Sequence, residues 1–207
     1  MSGTLLKVKN TLVGDRAFYK RVIAILIPII IQNTFTNAVS FVDNIMVGRI
    51  GEIEMSAVAT VNQLLFVFNL CIFGGLSGIG IFTAQFAGAN DFTGVRRTVR
   101  AKNYLSLAML IIGTAVFLLF PVPLLKLYIA EDTAPEIAEL MLNHSLDYLY
   151  IMLIGLAPFA IAQVYGSTLR EEGETKLPMI GGVVAILVNL VLNYFLIFGN
   201  ECGLSFI

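Results

Sequence analysis

The sequence predicts an all-α fold, a polytopic membrane helix bundle with five transmembrane helices, and three observations predict it. First, the 207 residues are 57% hydrophobic and only 13% charged, whereas a soluble domain carries about 25% charged residues. Second, the charges cluster and leave long neutral gaps at residues 22–42, 55–90, 103–125, 148–169 and 177–200. Each gap can supply the ~20 mainly apolar residues that a spanning helix needs. Third, Lys and Arg alternate between the ends of those gaps, as they do in membrane proteins with a fixed orientation.

These gaps give spans at about 22–47, 57–81, 103–126, 148–169 and 178–199. Residues 1–21 read as a cytoplasmic N-terminal segment, 22–200 as the bundle, and 201–207 as an external tail. Lys7, Lys9, Arg16, Lys20 and Arg21 precede span one; Arg96, Arg97, Arg100 and Lys102 lie between spans two and three; Arg170 and Lys176 lie between spans four and five. The opposite side has Arg49 and Lys126. The positive-inside rule then puts the N-terminus in the cytoplasm and the C-terminus outside. With no Trp, Tyr19, Tyr104, Tyr128, Tyr148 and Tyr150 serve as interfacial anchors. A net charge of −1 points to no nucleic-acid partner.

Span one contains Pro28, which removes a backbone donor and kinks a helix. The same helix carries Asn33, Thr36, Ser40 and Asp43 at spacings of three, four and three, which stack on one face. Gln32 and Asn37 flank them. Such a stripe faces protein or water rather than lipid. Span two ends in GGLSGIG (74–80), read as a tight packing surface or a flexible point, and leaves the membrane through QFAGAND. Cys71 within it reads as a buried packing residue, at a depth too different from Cys202 for a disulfide.

Residues 133–147 are too polar to span. Thr133 and Glu136 have capping-box spacing, and Ile137, Leu140, Met141 and His144 form one stripe, so a short amphipathic helix on the outer surface is expected. His144 reads as a surface or packing residue. Span four contains Pro158 and a face with Gln163 and Ser167; span five carries Asn189 and Asn193 four apart on one face.

No enzymatic constellation is visible: no Cys/His metal spacing, no phosphate-binding glycine loop, no Ser/His/Asp set. The sequence thus implies no catalytic residues, no structural metal and no cofactor. Asp43 is the one ionisable residue inside a predicted span. It reads either as an interfacial carboxylate capping the helix end or as an ion site. Ile45, Met46 and Val47 continue the helix past it, and Asn189 and Asn193 are the partners that span five offers. A carboxylate taken out of water has its charged form disfavoured and can take up and release a proton. Alternatively, one carboxylate with amide and hydroxyl oxygens holds a hard cation, and a sodium ion at Asp43 is that alternative.

The stretches SFVDNIMVGRIG (40–51), TAQFAGAND (83–91), AQVYGSTLREEGETKLPM (162–179) and LVNLVLNYFLIFG (187–199) resemble the multidrug and toxic compound extrusion (MATE) family. The resemblance implies two six-helix lobes that rock about a central cavity and expel organic, often cationic, compounds by antiport with protons or sodium. It assigns ion coupling to Asp43, matches Asn189 on helix five and gives Pro28 a bending role; Asn193 completes the candidate ion-coupling set, and Asn33, Thr36, Ser40 and Gln163 are the candidate cavity-lining residues. Where the best-studied pattern has an aspartate four residues after the asparagine of helix five, this chain has Asn193, so one carboxylate serves where two would. Helix six and the second lobe are absent from the resemblance. The expected protein is therefore the N-terminal lobe of a drug exporter, inactive until a second lobe or another membrane chain joins it. Its partners are a small organic substrate and the lipid bilayer. Two other readings are a non-transporting half-lobe that binds a partner and a flippase for lipid-linked precursors; against the flippase, no predicted span interior carries Lys or Arg.

Overall fold

In hydrocarbon a backbone must satisfy every N–H and C=O within itself, and an apolar run does so as an α-helix. The structure is a computed structural model that describes residues 15–48, 51–129 and 133–198. The apolar runs become α1 (Arg16–Gly48), α2 (Glu52–Gly88), α3 (Phe92–Leu119), α5 (Pro135–Glu171) and α6 (Lys176–Phe198), with a short α4 (Pro121–Lys126) after α3. All but α4 are long and apolar enough to cross a membrane. The protein is an all-α polytopic membrane bundle.

Polar residues set the helix ends. Asp15 Oδ1 accepts from Phe18 N at 2.7 Å and opens α1. Asn90, at φ 56°, turns the chain out of α2, a conformation asparagine tolerates better than most residues. Asp91 then caps α3, accepting from the backbone N–H groups of Thr93 and Gly94 at 3.0 Å each. Gly173, at φ 88°, reverses the chain after α5, and Glu174 Oε1 accepts from Lys176 N and Leu177 N to open α6.

The helices form two leaves. In the larger leaf α2 is central: Val61, Leu64, Leu65, Phe68, Ile72 and Leu76 pack against Phe117 of α3, Leu125 of α4, and Leu149, Leu156 and Val164 of α5. Phe68 meets Phe117 edge-on with centroids 5.9 Å apart. Lipid tails are as apolar as these side chains, so close packing rather than water exclusion joins the helices. Small residues permit that approach. Gly113 of α3 faces the Phe68 ring, and Gly75 of α2 faces Leu105 and Met109. Within GGLSGIG, Gly75 and Gly80 face neighbours, whereas Gly74 and Gly78 face open space.

The smaller leaf is α1 with α6, which run parallel. Gln32 lies against Gly182, and Asp43 lies against Asn193 further along. Only 6% of the apolar window of α1 and none of that of α6 is buried within the chain, against 33% in α2. This leaf presents most of its surface to lipid or to another body.

Several boundaries differ from the sequence expectation. Residues 133–147 do not form a separate surface helix: from Pro135 on they are the first turns of α5, which runs unbroken to Glu171. The polar stretch propagates because apolar turns that must be helical follow it directly. The expected capping box is absent; Ala134 is the N-cap and Pro135 takes the first helical position, where its missing N–H costs nothing. The second helix runs from Glu52 to Gly88 rather than 57–81, so QFAG is helical. Span three divides at Phe120, where Pro121 begins α4. Residues 16–21, expected as part of an N-terminal segment, are the first turns of α1, while residues 1–14, Arg49 and the tail 201–207 lie outside the described residues. Cys71 is exposed on α2, so its expected burial is corrected, and Cys202 lies outside the described residues.

Candidate functional site

Asp43 sits five residues before the end of α1, and the helix continues past it. From Arg21 to Asp43 is about 33 Å of helix at 1.5 Å per residue, close to the ~30 Å thickness of bilayer hydrocarbon. Tyr148 lies as far from Arg170 along α5, so both residues reach one layer near the membrane boundary. There Asn193 Nδ2 of α6 donates to Asp43 Oδ1 at 3.0 Å. The same nitrogen donates to Asn189 Oδ1 at 3.3 Å, so the two asparagines are tied one helical turn apart. Asp43 and Asn193 are half-buried and Asn189 is exposed. Among the described residues, Asp43 Oδ2 takes no hydrogen bond, and no group of three or more His, Cys, Asp or Glu side chains converges. One carboxylate with amide oxygens nearby is the available chemistry. It can take a proton, or contribute part of an oxygen shell to a hard cation.

Tyr148 was expected to be an interfacial anchor only. It is half-buried, one residue before fully buried Leu149 of the α2–α5 core.

The other singled-out residues divide. Pro28 is buried in mid-α1, and the helix runs through it. Asn33, Thr36 and Ser40 share the exposed face of α1; Thr36 Oγ1 donates back to Gln32 O at 2.9 Å. Gln163 does not join them. It lines a separate cavity of about 240 Å³ between α2 and α5, with Phe73, Ser77, Ser167, Arg170 and Glu171. His144 approaches Glu54 of α2, Nε2 to Oε1 4.0 Å, with both side chains well exposed.

A second polar cluster overturns one expectation. Lys102, read as an orientation-setting loop charge, is 0% exposed inside the α2–α3–α5 leaf. Its Nζ donates to Glu171 Oε2 at 2.5 Å, to Ser167 Oγ at 3.1 Å and to Thr168 Oγ1 at 3.5 Å. Gly80 of α2 leaves room for the Glu171 carboxylate, which a Cβ there would displace. Asp43 is thus not alone as an ionisable group inside the bundle. The sequence does hold a partial signal: Lys102 falls four residues after buried Thr98 and four before buried Ser106, on the inward face of α3.

Comparison with known proteins adds to this geometry. A family model described as MatE matches residues 28–195. The chain is 30% identical over 185 residues to the "Multidrug resistance protein PmpM" of Pseudomonas aeruginosa, a match covering 89% of this chain and 37% of that protein. It is 28% identical over 181 residues to each "Probable multidrug resistance protein NorM" of Photorhabdus laumondii and Thermotoga maritima, covering 87% of this chain and 38% of each relative. The chain therefore spans well under half the length of these relatives. No solved structure matches it.

Proposed function

We propose, from the premise that this chain belongs to the MatE family, that it forms one lobe of a secondary transporter. That transporter exports organic, often cationic, compounds by antiport with protons or sodium ions. The observation that carries the reading is the Asp43–Asn193–Asn189 constellation, a carboxylate held between two helices of the sparsely packed leaf. The relatives' names, which speak of multidrug resistance, support the substrate class.

The geometry supports a coupling step. With Asp43 ionised, the Asn193 amide donates to a charged acceptor, and such bonds are roughly twice as strong as neutral ones. A proton on Asp43, or a sodium ion drawing its oxygens, weakens that tie between α1 and α6. Buried Pro28 sits between Asp43 and the start of the helix, where a missing backbone hydrogen bond makes bending cheap. The exposed Asn33, Thr36 and Ser40 then line the face that meets substrate. Alternating access needs two bodies moving against each other, and the second lobe comes from further chain or another membrane protein. Arg16, Lys20, Arg21, Arg96, Arg97, Arg100, Arg170 and Lys176 gather at the end of the bundle where α1 begins, which supports a cytoplasmic N-terminus in a bacterial plasma membrane.

The test is Asp43→Asn in a complete transporter that carries this lobe. Ion-driven efflux and drug resistance are expected to be lost while membrane insertion stays normal. Imposing a proton or a sodium gradient separately on proteoliposomes identifies the coupling ion. Undiminished resistance in the variant refutes the coupling role.

A further inference from the structure

The cavity between α2 and α5 is distant from Asp43, at the opposite end of α5, and its charges are unequal. Glu171 is already neutralised by the buried ammonium of Lys102, so the cavity nets the positive charge of Arg170. Arg170 makes no ion pair among the described residues. The donors that face the same space are the Gln163 amide and the Ser77 hydroxyl. The hydroxyl of Ser167 is committed, donating to Val164 O at 3.0 Å while accepting from Lys102. An organic cation entering here would meet a carboxylate already paired and an unpaired guanidinium, so the electrostatics favour an anion. At about 240 Å³ the space is also below the ~300 Å³ where drug-sized pockets begin.

Position narrows the anion further. Arg170 is one residue from the end of α5, about 33 Å along the helix from Tyr148, and so sits in the headgroup layer at the other boundary. Phe73 lies seven residues before Gly80, the residue level with Glu171, and hence about 10 Å deeper toward the hydrocarbon. Phe73 is 63% exposed. Head and tail therefore find different walls: the Arg170 guanidinium in the headgroup layer with the Ser77 hydroxyl a turn below it, and Phe73 about 10 Å deeper, level with Gln163 seven residues before Arg170. Basic pockets between transmembrane helices at this depth take anionic lipid headgroups.

We infer that this cavity is a binding site for an anionic phospholipid, with the phosphate diester against Arg170 and Ser77 and the ester-linked start of an acyl chain along Gln163 and Phe73. Lys102 serves the site indirectly by cancelling the charge of Glu171.

The experiment titrates the full chain, in dodecyl maltoside micelles, with dioleoylphosphatidylglycerol or dioleoylphosphatidylcholine, and reads bound lipid by native mass spectrometry and the unfolding midpoint. Phosphatidylglycerol is expected to bind and stabilise where phosphatidylcholine does not. Arg170→Gln is expected to weaken that binding about tenfold or more, the loss for one charge-assisted hydrogen bond. Ser77→Leu keeps every charge but fills the mouth of the cavity from an exposed position, and is expected to weaken binding similarly; it carries the test should the Arg170 variant fail to fold. Arg97→Gln, on the exposed face of α3, is expected to keep wild-type binding. Equal binding of both lipids, or wild-type affinity in Arg170→Gln or Ser77→Leu, overturns the assignment. Stabilisation by inorganic phosphate alone at the same concentrations overturns the lipid in favour of a free anion.

Discussion

Replacing Lys102 by Met isolates what a buried charge pair does inside this bundle. The ammonium is 0% exposed and the Glu171 side chain 18% exposed, so removing the lysine strands a carboxylate with little access to water. Breaking a buried pair from one side costs about 3–5 kcal/mol, and the residual exposure of Glu171 places the expected loss at the low end, about 3 kcal/mol. Glu171→Leu strands the ammonium instead. Ser167 and Thr168 still accept from it, so a loss of about 2–3 kcal/mol is expected. The double variant Lys102→Met/Glu171→Leu removes both charges and refills the space with apolar groups, and such replacements are often close to neutral. The singles would sum to about 5–6 kcal/mol if independent, so a coupling energy of about 3 kcal/mol or more is expected from the cycle. Reversible unfolding in mixed dodecyl sulfate micelles, followed by circular dichroism, measures all four proteins. A Lys102→Met protein within about 1 kcal/mol of wild type, or a double variant no better than the sum of the singles, refutes the reasoning.

Three other outcomes follow from the same geometry. Asn193→Ala removes the donor to Asp43 but keeps the carboxylate; ion-driven efflux in the complete transporter should fall about tenfold, the worth of one charge-assisted bond, and a loss as complete as that of Asp43→Asn would contradict the supporting role given to Asn193. Pro28→Ala restores a backbone donor in α1, and slower transport with unchanged insertion is expected; wild-type kinetics would remove the bending role. Gly113→Val drives methyl groups into the Phe68 ring and should cost about 1–3 kcal/mol in the same unfolding assay, whereas Gly155→Ala, with nothing within 4 Å of its added carbon, should stabilise its helix by up to about 1 kcal/mol.

Composition and the spacing of charge-free gaps made the membrane class and the number of spans legible, because hydrocarbon admits only segments of sufficient apolar length. The helix ends were less legible. α2 and α5 each extend to 37 residues because polar turns flanking an apolar run can continue its helix into the headgroup layer. Asn189 and Asn193, four apart on one helix, were recognisable as a shared face by period alone. Gln163 was grouped with residues that the fold keeps apart from it: it lines the cavity between α2 and α5. Lys102 looked like a loop charge because a count of charges along the chain cannot register that a partner stands 69 positions later.

The sequence by itself determined that this protein lies in a membrane, that its helices alternate across it, and which residues share a face within each helix. Those properties follow from transfer energies and the 3.6-residue repeat, both local to a segment. Only the tertiary structure decided that Asp43 meets Asn193 across 150 positions and that Glu171 neutralises Lys102 inside the larger leaf. Pairings of that kind depend on which helices lie parallel and at what vertical offset. Small residues and ring contacts at the helix interfaces set those two quantities, and no single segment encodes them.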